Sequence, residues 1–503
     1  MIPSSLPPLR RRVQPDREPR ADGRYVLYWM VAQRRLNWNF ALDRAVEAAR
    51  ELHKPLLVFE PLRCGYAWAS DRFHQFVLQG MADNAARCAA AGVTYYAYVE
   101  PEEGDGSGLL EELAQDACAV ITDDYPCFFL PRMVAAAGRR LDVYFEAVDS
   151  NGLLPLRAAP KAFSRAVDFR RFLQKNLPEH LLHHPTADPL SRVSALGLAP
   201  LSKTTTDHRP NLAQALQNGD LPDLSALPID HAVAPTDDVG GTTAAQARLA
   251  EFLEQRLDRY TEDRMDLDQV ASSELSAHLH FGHISVHEIF DRLVPRQGWN
   301  PSKLADPPYR GKREGWWGMS QPAESFLDEL VTWRELSYNG AAHLPDYDRY
   351  ESLPEWARRS LAEHAADPRP HLYDLAQLDA AETHDEVWNA AQVQLREQGR
   401  IHNYLRMLWG KKILEWSPSP EQALDVMIEL NNKYALDGRD PCSYSGIFWC
   451  LGRYDRAWGP ERPIFGKIRY MSSDSTRRKT KLNGYLSRFA PSGQRNLVLE
   501  SRP

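Results

Sequence analysis

Short apolar segments alternate with helical segments in the first third of the chain, and this alternation is the strongest constraint on its fold. The apolar segments are RYVLYWM, PLLVFEP, VTYYAYVE, CAVITDDY and DVYFEAVD. Between them lie stretches with helical periodicity, such as WNFALDRAVEAARELH and DRFHQFVLQGMADNAARCAAAG. Strands that alternate with helices build a doubly wound parallel sheet. The sequence therefore predicts an α/β domain over residues 23–184, and the absence of a GxGxxG motif there gives no support for dinucleotide binding.

The rest of the chain is predicted to be mostly helical, with irregular segments at both ends and in the middle. After Thr242 the periodicity predicts an all-α domain over residues 242–485. Residues 185–241 are rich in Pro, Asp, Ser and Thr, which predicts a connector along the surface. The Pro- and Arg-rich residues 1–22 are predicted to be a disordered tail, and residues 486–503 a C-terminal tail. The segment 295–322 interrupts the helices, and its sequence indicates no role.

Composition is typical of a large globular protein and excludes several other classes. The 503 residues are 43% hydrophobic and 25% charged, which suits a chain of two or three domains. No apolar run approaches the roughly 20 residues needed to cross a bilayer, and the N-terminus lacks the apolar segment of a signal peptide. A cytoplasmic protein is expected, nucleoid-associated if bacterial. The six cysteines lack metal-type spacing, which predicts reduced thiols and no metal site.

The distribution of charge matters more for a nucleic-acid partner than the net charge of -8. From Arg456 to the end the chain carries eleven Lys and Arg against three Asp and Glu. Arg477, Arg478, Lys479 and Lys481 lie within this stretch. The excess predicts a local basic patch suited to DNA phosphates, with a solvated charged tail as the alternative.

Three tryptophans on two predicted helices suggest a redox cofactor. Trp409 and Trp416 are seven residues apart and share one helix face, and Trp388 lies on the preceding helix, across the turn at Gly399. A packed row of indoles can relay single electrons, although ordinary core packing explains the same spacing. The neighbouring polar residues favour the cofactor, because they could hold the polar edge of a heterocycle. They are Arg406, Asn431, Asp437 and Asp440.

The chain resembles the photolyase/cryptochrome flavoproteins and, within them, the class II cyclobutane pyrimidine dimer photolyases. The resemblance runs from Tyr25 to about Arg478. It is carried by the segments GGTTAAQARLAEF, SSELSAHLHFGHIS, ESFLDELVTWREL, THDEVWNAAQ, HNYLRMLWGKKILEW, LNNKYALDGRDP and ERPIFGKIRYM. The resemblance implies an N-terminal antenna domain and a helical FAD-binding domain. An antenna chromophore is possible, but no motif identifies it.

The resemblance also implies which residues hold FAD, which is reduced and anionic in the active form. The implied FAD-binding residues are Tyr260, Ser272, Leu275, Ser276, Arg406, Asn431, Asp437 and Asp440. Among them, Arg406 would pair with Asp437 beside the isoalloxazine, and Asn431 would face its N5 atom. Trp409, Trp388 and Trp416, in that order outward from the flavin, would carry the electrons that reduce it.

For the substrate, the resemblance implies a flipped pyrimidine dimer in UV-damaged DNA, bound by a monomer. Glu329 and Trp333 lie four residues apart and share a helix face, and Glu329 would hydrogen-bond the dimer. The other implied substrate contacts are Arg264, Asn403, Met407 and Trp449, with Arg456 and Trp458 filling the gap left in the duplex. The catalytic residues would be Glu329, Trp388, Trp409 and Trp416.

The expected activity is light-dependent repair, in which photoexcited reduced FAD donates an electron that splits the dimer. One alternative is a cryptochrome-like photoreceptor, whose usual mark is a long C-terminal extension. A second is a DNA-binding scaffold without flavin, and a 6-4 photoproduct is a further possible substrate. The chain departs from the class II pattern in SAHLHFG, in a loop one residue shorter between Trp449 and Trp458, and at Met265, Asn403 and Leu408.

Overall fold

The computed structural model describes residues 2–269 and 271–491. The chain divides into two compact units whose segments interleave along the sequence. The first contains residues 1–160, 173–251 and 274–303, and the second contains residues 161–172, 252–273 and 304–503. Among the described residues, no helix is both long and apolar enough to cross a membrane.

The first unit contains a six-stranded sheet in the order β1-β6-β5-β2-β3-β4. The strands are β1 Arg11–Val13, β2 Tyr25–Trp29, β3 Leu56–Leu62, β4 Thr94–Val99, β5 Ala117–Asp123 and β6 Tyr144–Val148. All neighbours from β6 to β4 pair in parallel, and β1 pairs antiparallel with β6. The apolar segments of the sequence are the strands β2 to β6, so the predicted parallel sheet is confirmed.

Helices connect the parallel strands and bury their apolar faces against them. They are α1 Phe40–Leu52, α2 Asp71–Ala91, α3 Leu109–Gln115 and α4 Leu130–Arg140. Asn39 caps α1 by accepting hydrogen bonds from the backbone N–H groups of Ala41 and Leu42. The helix ends at His53, which adopts a left-handed conformation. Buried strands with helices between them are the pattern expected for parallel sheets.

Part of the N-terminal segment for which a disordered tail was predicted has regular structure. Residues Pro8–Arg10 form a 3-10 helix and β1 follows it at the edge of the sheet. Arg10 is buried and donates to the carbonyl oxygens of Gly152 and Leu153. Arg11 pairs with buried Glu146. Composition alone missed this segment because its stabilising partners lie more than a hundred residues away in the sequence.

The stretch from residue 185 to 241 carries little regular structure and packs on the first unit. Leu190, Val193, Leu216 and Leu227 are buried in the hydrophobic core of that unit. The helices that follow α4 are α5 Ala166–His180, α6 Lys203–His208, α7 Ala213–Gln217, α8 Thr242–Glu251, α9 Tyr260–Asp263, α10 Ser276–His280 and α11 Val286–Leu293. The boundary between units falls inside α5, and α9 belongs to the second unit. The predicted domain limits stay predictions.

The second unit is helical throughout its regular structure. Its remaining helices are α12 Gln321–Leu327, α13 Arg334–His343, α14 Glu355–Glu363, α15 Leu375–Asp379, α16 Glu386–Gln398, α17 Asn403–Trp416, α18 Pro420–Tyr434, α19 Pro441–Cys450, α20 Ser473–Lys479 and α21 Asn483–Phe489. The predicted C-terminal tail begins within α21, and its residues 492–503 lie outside the described part of the chain. The prediction of a parallel-sheet unit with a helical region is confirmed.

Candidate functional site

Two helices, α16 and α17, carry the three tryptophans. Asp385 caps α16 by accepting from the backbone N–H groups of Val387 and Trp388. The helix ends at Gly399, whose φ of 64° is the left-handed conformation that glycine adopts without strain. This short turn allows α17 to pack against α16.

The packing of α16 on α17 brings the indoles together inside the helical unit. All three are buried, with Trp388 0% and Trp409 and Trp416 each 2% exposed. The Nε1–H of Trp388 donates to the backbone carbonyl of Trp409 at 3.0 Å, and the rings of Trp388 and Trp416 lie 5.6 Å apart, edge to face. The Nε1–H of Trp409 donates to Gln392 at 2.9 Å. The indoles therefore have fixed orientations.

The row of aromatic rings continues beyond Trp416 towards the surface. Tyr373 packs against Trp416 with ring centroids 5.4 Å apart, and the exposed His384 lies 5.3 Å from the same indole. The hydroxyl of Tyr373 and Nδ1 of His384 are 2.7 Å apart, a hydrogen-bond distance. Trp416 is thus connected to the solvent through Tyr373 and His384, two residues that sequence reasoning missed.

The predicted pair of Arg406 and Asp437 is present where α17 packs against α18. Arg406 Nη2 lies 3.0 Å from Oδ1 and 3.3 Å from Oδ2 of Asp437, and both side chains are partly accessible. Asn431 is buried on α18, and its amide nitrogen donates to Asn432 and to Ser443. Because both amide hydrogens are used, the carbonyl oxygen of Asn431 is the atom that remains to face a ligand.

The other predicted cofactor residues are distributed over several elements. Asp440 caps α19 by accepting from the backbone N–H of Cys442, and it also accepts from the hydroxyl of Tyr338 at 3.2 Å. Tyr260 is buried at the start of α9, and burial raises the pKa of its hydroxyl. In the second unit Ser272 is exposed; in the first unit Leu275 is buried and Ser276 exposed where α10 begins.

Glu329 lies in a local widening of its helix, which becomes a π-helix over Asp328–Trp333. Such π segments are rare and are frequent at functional sites. The carboxylate of Glu329 lies 3.4 Å from Nη1 of Arg264, and the same nitrogen donates to Ser325 at 3.3 Å. Arg264 also lies 5.9 Å from the ring centroid of Tyr260. The structure thus brings Glu329 together with Arg264 and Tyr260, which lie on a separate segment of the sequence.

The surroundings of Glu329 shift the pKa of its carboxyl upward. Burial raises the pKa of the carboxyl, and the positive charges of Arg264 and Arg313 oppose this rise only in part. The side chain nevertheless remains 38% exposed. A carboxyl of raised pKa that is still accessible can donate a hydrogen bond to a bound molecule.

Trp449 and Trp458, two predicted substrate residues, are linked by one arginine. The guanidinium of Arg469 lies 5.5 Å from the ring centroid of Trp449 and 4.9 Å from that of Trp458. Arg456 also stacks on Trp458, at 4.4 Å. The ammonium group of the buried Lys411 lies 5.2 Å from the ring centroid of Trp449. Arg469 and Lys411 were missed because nothing in their local sequence distinguishes them from ordinary charged residues.

The positions that depart from the class II pattern occupy different environments. Met265 is 40% exposed, immediately after Arg264. Asn403 is exposed at the first residue of α17, and Met407 is half-buried one turn later. Leu408 is buried beside Trp409. Within residues 2–269 and 271–491, none of these side chains has a hydrogen-bonding or charge partner that would define a role in binding.

Comparison with known proteins relates both units to one family. A protein-family model described as DNA photolyase matches residues 26–190. A deoxyribodipyrimidine photo-lyase of Methanothermobacter thermautotrophicus is 34% identical over 94% of this chain and 96% of its own length. The enzyme of that name from Arabidopsis thaliana is 31% identical over 92% of this chain and 88% of its own length. The enzyme of that name from Potorous tridactylus is 30% identical over 92% of this chain and 81% of its own length.

A solved structure shares the fold. The crystal structure of a bacterial class III photolyase from Agrobacterium tumefaciens matches with a TM-score of 0.67, over 96% of this chain and 90% of that chain. The two sequences are 16% identical, so the likeness is one of fold.

Proposed function

Because this chain belongs to the photolyase/cryptochrome family, we propose that it is a light-dependent DNA repair enzyme that splits cyclobutane pyrimidine dimers. The family relationship rests on identity of 34% over nearly the whole chain. The observation that most favours repair is the pairing of Glu329, whose pKa is raised, with Arg264 at an accessible position. The motifs HNYLRMLWGKKILEW and LNNKYALDGRDP support assignment to class II.

The donor groups of the helical unit fit FAD as the resident cofactor. Arg406 and Asp437 would hold the polar edge of the isoalloxazine, and the carbonyl oxygen of Asn431 is available to accept a hydrogen bond from a ring N–H. When bound and excited by blue or near-ultraviolet light, reduced FAD supplies one electron to the dimer and recovers it after the ring has split. No net redox change follows.

Glu329 and Arg264 are the residues of this chain that would stabilise the lesion during the reaction. A neutral Glu329 would donate a hydrogen bond to a carbonyl of the dimer, and the bond would strengthen as negative charge develops there. An interaction that is stronger with the charged intermediate than with the ground state accelerates the reaction. Arg264 would add a positive charge on the same side, since it lies within 3.4 Å of Glu329.

The aromatic residues would shape the pocket and the duplex around it. Photolyases are among the enzymes known to extrude their target nucleotides from the helix. Trp333, Trp449 and Met407 would pack against the flipped dimer and exclude water. Trp458, held by Arg456 and Arg469, would occupy the gap in the duplex.

The three indoles would serve to reduce the flavin to its active state. The hydrogen bonds of Trp388 and Trp409 and the edge-to-face contact of Trp388 with Trp416 hold them in a defined arrangement. An electron could then enter from Trp416, whose contacts with Tyr373 and His384 lead to the solvent.

The decisive experiment is illumination of the reduced protein with an oligonucleotide that contains one thymine dimer. Restored thymines, measured chromatographically, should increase with light dose and should be absent in a dark control. A protein with a flavin absorption spectrum but no restored thymines would instead support a photoreceptor. A protein without that spectrum would support a scaffold that lacks flavin.

A further inference from the structure

The segment from Leu304 to Ser320, here called the 304–320 loop, has no regular helix or strand and belongs to the second unit. Its centre reads YRGKR, and the side chains of Arg310, Lys312 and Arg313 are exposed. These three cations lie within four consecutive positions that contain no acidic residue. The sequence indicated no role for this segment.

One end of the cationic stretch is anchored to the helix that carries Glu329. Arg170 forms a bidentate ion pair with Asp328, at 2.7 and 2.9 Å, and Asp328 immediately precedes Glu329. The same guanidinium donates to the carbonyl oxygen of Gly311 at 3.3 Å. Bidentate pairs of this kind combine strength with a defined geometry. Gly311 is therefore tied to the start of the π-helix through a single arginine.

Gly311 itself must be glycine for the loop to follow this path. Its φ is +69°, and a Cβ atom there would lie 2.5 Å from the backbone oxygen of Val167. Only glycine permits both the left-handed conformation and the close approach. Arg310 and Lys312 flank this buried residue, so their side chains extend outward from a fixed backbone position.

The other end of the cationic stretch is anchored by a second acid on the same helix. The buried carboxylate of Glu324, on α12, accepts from the backbone N–H of Gly315 and, at 3.1 Å, from that of Met319. Between these two contacts Trp316 and Trp317 are buried, with ring centroids 4.6 Å apart. The loop is thus held at Gly311, within its cationic stretch, and again at Gly315 and Met319, after it.

Arg313 lies close enough to the pocket to influence Glu329. Burial raises the pKa of the Glu329 carboxyl, and the charges that oppose the rise come first from Arg264 and then from Arg313. Since α12 and the π-helix form one continuous segment, both anchors hold the cationic stretch on the helix that carries Glu329. A DNA strand that delivers a flipped dimer to Glu329 must bring its phosphates past this rim.

We propose that Arg310, Lys312 and Arg313 form a binding surface for the phosphates of the lesion-carrying DNA strand, at the rim of the Glu329 pocket. The inference rests on the proposed function. A chain with a net charge of -8 gains little from long-range attraction to DNA, so its affinity must come from local groups of cations. Guanidinium groups suit this task because their planar forks match phosphate oxygens.

The test is the salt dependence of binding to two duplexes that differ only by one thymine dimer. The double variant Arg310→Ala/Arg313→Ala removes two cations and leaves the anchors at Gly311 and Gly315 intact. Each lost phosphate contact should lower the slope of log affinity against log salt by about 0.7 to 0.9. We expect the slope to fall by roughly 1.5 and the loss of affinity to be larger for the dimer-containing duplex.

Two control variants test separately whether the location of the removed arginines or their positive charge accounts for the change in slope. Arg132→Ala/Arg139→Ala removes two exposed arginines from α4 of the first unit and should leave the slope unchanged. Arg310→Lys/Arg313→Lys keeps both charges and should retain most of the slope. The flavin content of each variant, measured by absorbance, reports whether the helical unit is folded.

An unchanged slope in the folded Ala variant would overturn the proposal, and so would an equal loss of affinity for both duplexes. Failure of the proposed function would look different. In that case the wild-type protein would itself restore no thymines under light, whatever the loop variants do.

Discussion

The indole rings of Trp388 and Trp416 meet edge to face, with ring centroids 5.6 Å apart, in the interior of the helical unit. Trp388 is also bonded through its Nε1–H to the backbone of Trp409. The Trp388 indole therefore contacts the ring of Trp416 and the backbone of Trp409, although it lies on a different helix. This arrangement makes the order of electron steps testable by single substitutions.

Trp409→Phe should leave FAD bound and greatly slow its photoreduction. Phenylalanine preserves the aromatic packing but is far harder to oxidise, and the hydrogen bond to Gln392 is lost. Flavin absorbance during illumination with an external reductant measures the rate. In the matched control, Trp356→Phe on α14, the flavin should be photoreduced at the wild-type rate. A wild-type rate in Trp409→Phe would show that electrons enter by another route.

Glu329→Ala should retain the flavin spectrum and photoreduction but lose efficiency in splitting dimers. Hydrogen bonds to charged groups in a low-dielectric site contribute about 1.5 to 3 kcal/mol. At about 1.4 kcal/mol per factor of ten, the splitting rate should fall roughly tenfold to hundredfold. Glu329→Gln keeps a hydrogen-bond donor and should recover much of the rate. Full repair in Glu329→Ala would remove this carboxyl from the mechanism.

Arg469→Met should weaken binding of dimer-containing DNA without changing flavin content, because Arg469 stacks on both Trp449 and Trp458. Exposed cation–π pairs contribute about 0.5 to 1 kcal/mol each, so losing two should lower affinity severalfold. Arg462→Met is the matched control, since Arg462 stacks on Tyr470 at 4.9 Å and not on either indole. Equal effects of the two substitutions would mean that Arg469 acts only as a general surface charge.

Arg478 should contribute more to the salt dependence of DNA binding than its neighbour Arg477. Arg477 forms an ion pair with Glu386 at 2.7 Å, which already neutralises part of its charge. Arg478→Ala should lower the slope of log affinity against log salt by about 0.7 to 0.9, the value for one phosphate contact. Glu386→Gln, which removes the ion pair with Arg477, should raise this slope. No change in the slope for either variant would mean that the segment is a solvated face.

Lys411 should make the stability of the folded protein depend on pH. Burial lowers the pKa of its ammonium group from 10.5 to about 8, although the group donates to the carbonyl of Cys450 at 2.7 Å. Between these two pKa values the unfolded chain binds the proton and the folded chain does not. The free energy of unfolding should therefore rise with pH across this window, by at most about 1.4 kcal/mol per pH unit.

Denaturant unfolding of the wild type and of Lys411→Met, measured across that window, tests this linkage. The variant has no titrating group at the position, so its stability should change less with pH than that of the wild type. Asp455 and Arg469 also act on Lys411, and Asp455→Asn should lower its pKa further. Parallel pH profiles for wild type and Lys411→Met would contradict the prediction.

Local pattern was sufficient to predict much of the fold. The strands β2 to β6 are apolar runs in sequence, and the helix that carries Trp388 has its own capping residues, Asp385 and Gly399. The structure of a strand that is buried on both faces, or of a helix with its own capping residues, can be predicted from residues that are close in sequence. The pairing of Arg406 with Asp437 was likewise expected from the family resemblance and is present in the structure.

Tertiary structure decided the features whose stabilising partners are distant in sequence. The polar strand β1 pairs with β6 at the sheet edge, where Arg10 and Arg11 contact Gly152 and the buried Glu146. The 304–320 loop depends on Arg170, and the contact of Glu329 with Arg264 joins two separate segments. A charged side chain has no preferred partner until the chain has folded. Its burial is tolerated only where the fold provides a partner of opposite charge or a hydrogen-bonding partner. For this reason the local sequence determined the sheet and the helices of this protein, and the tertiary structure determined which of its charged side chains pair.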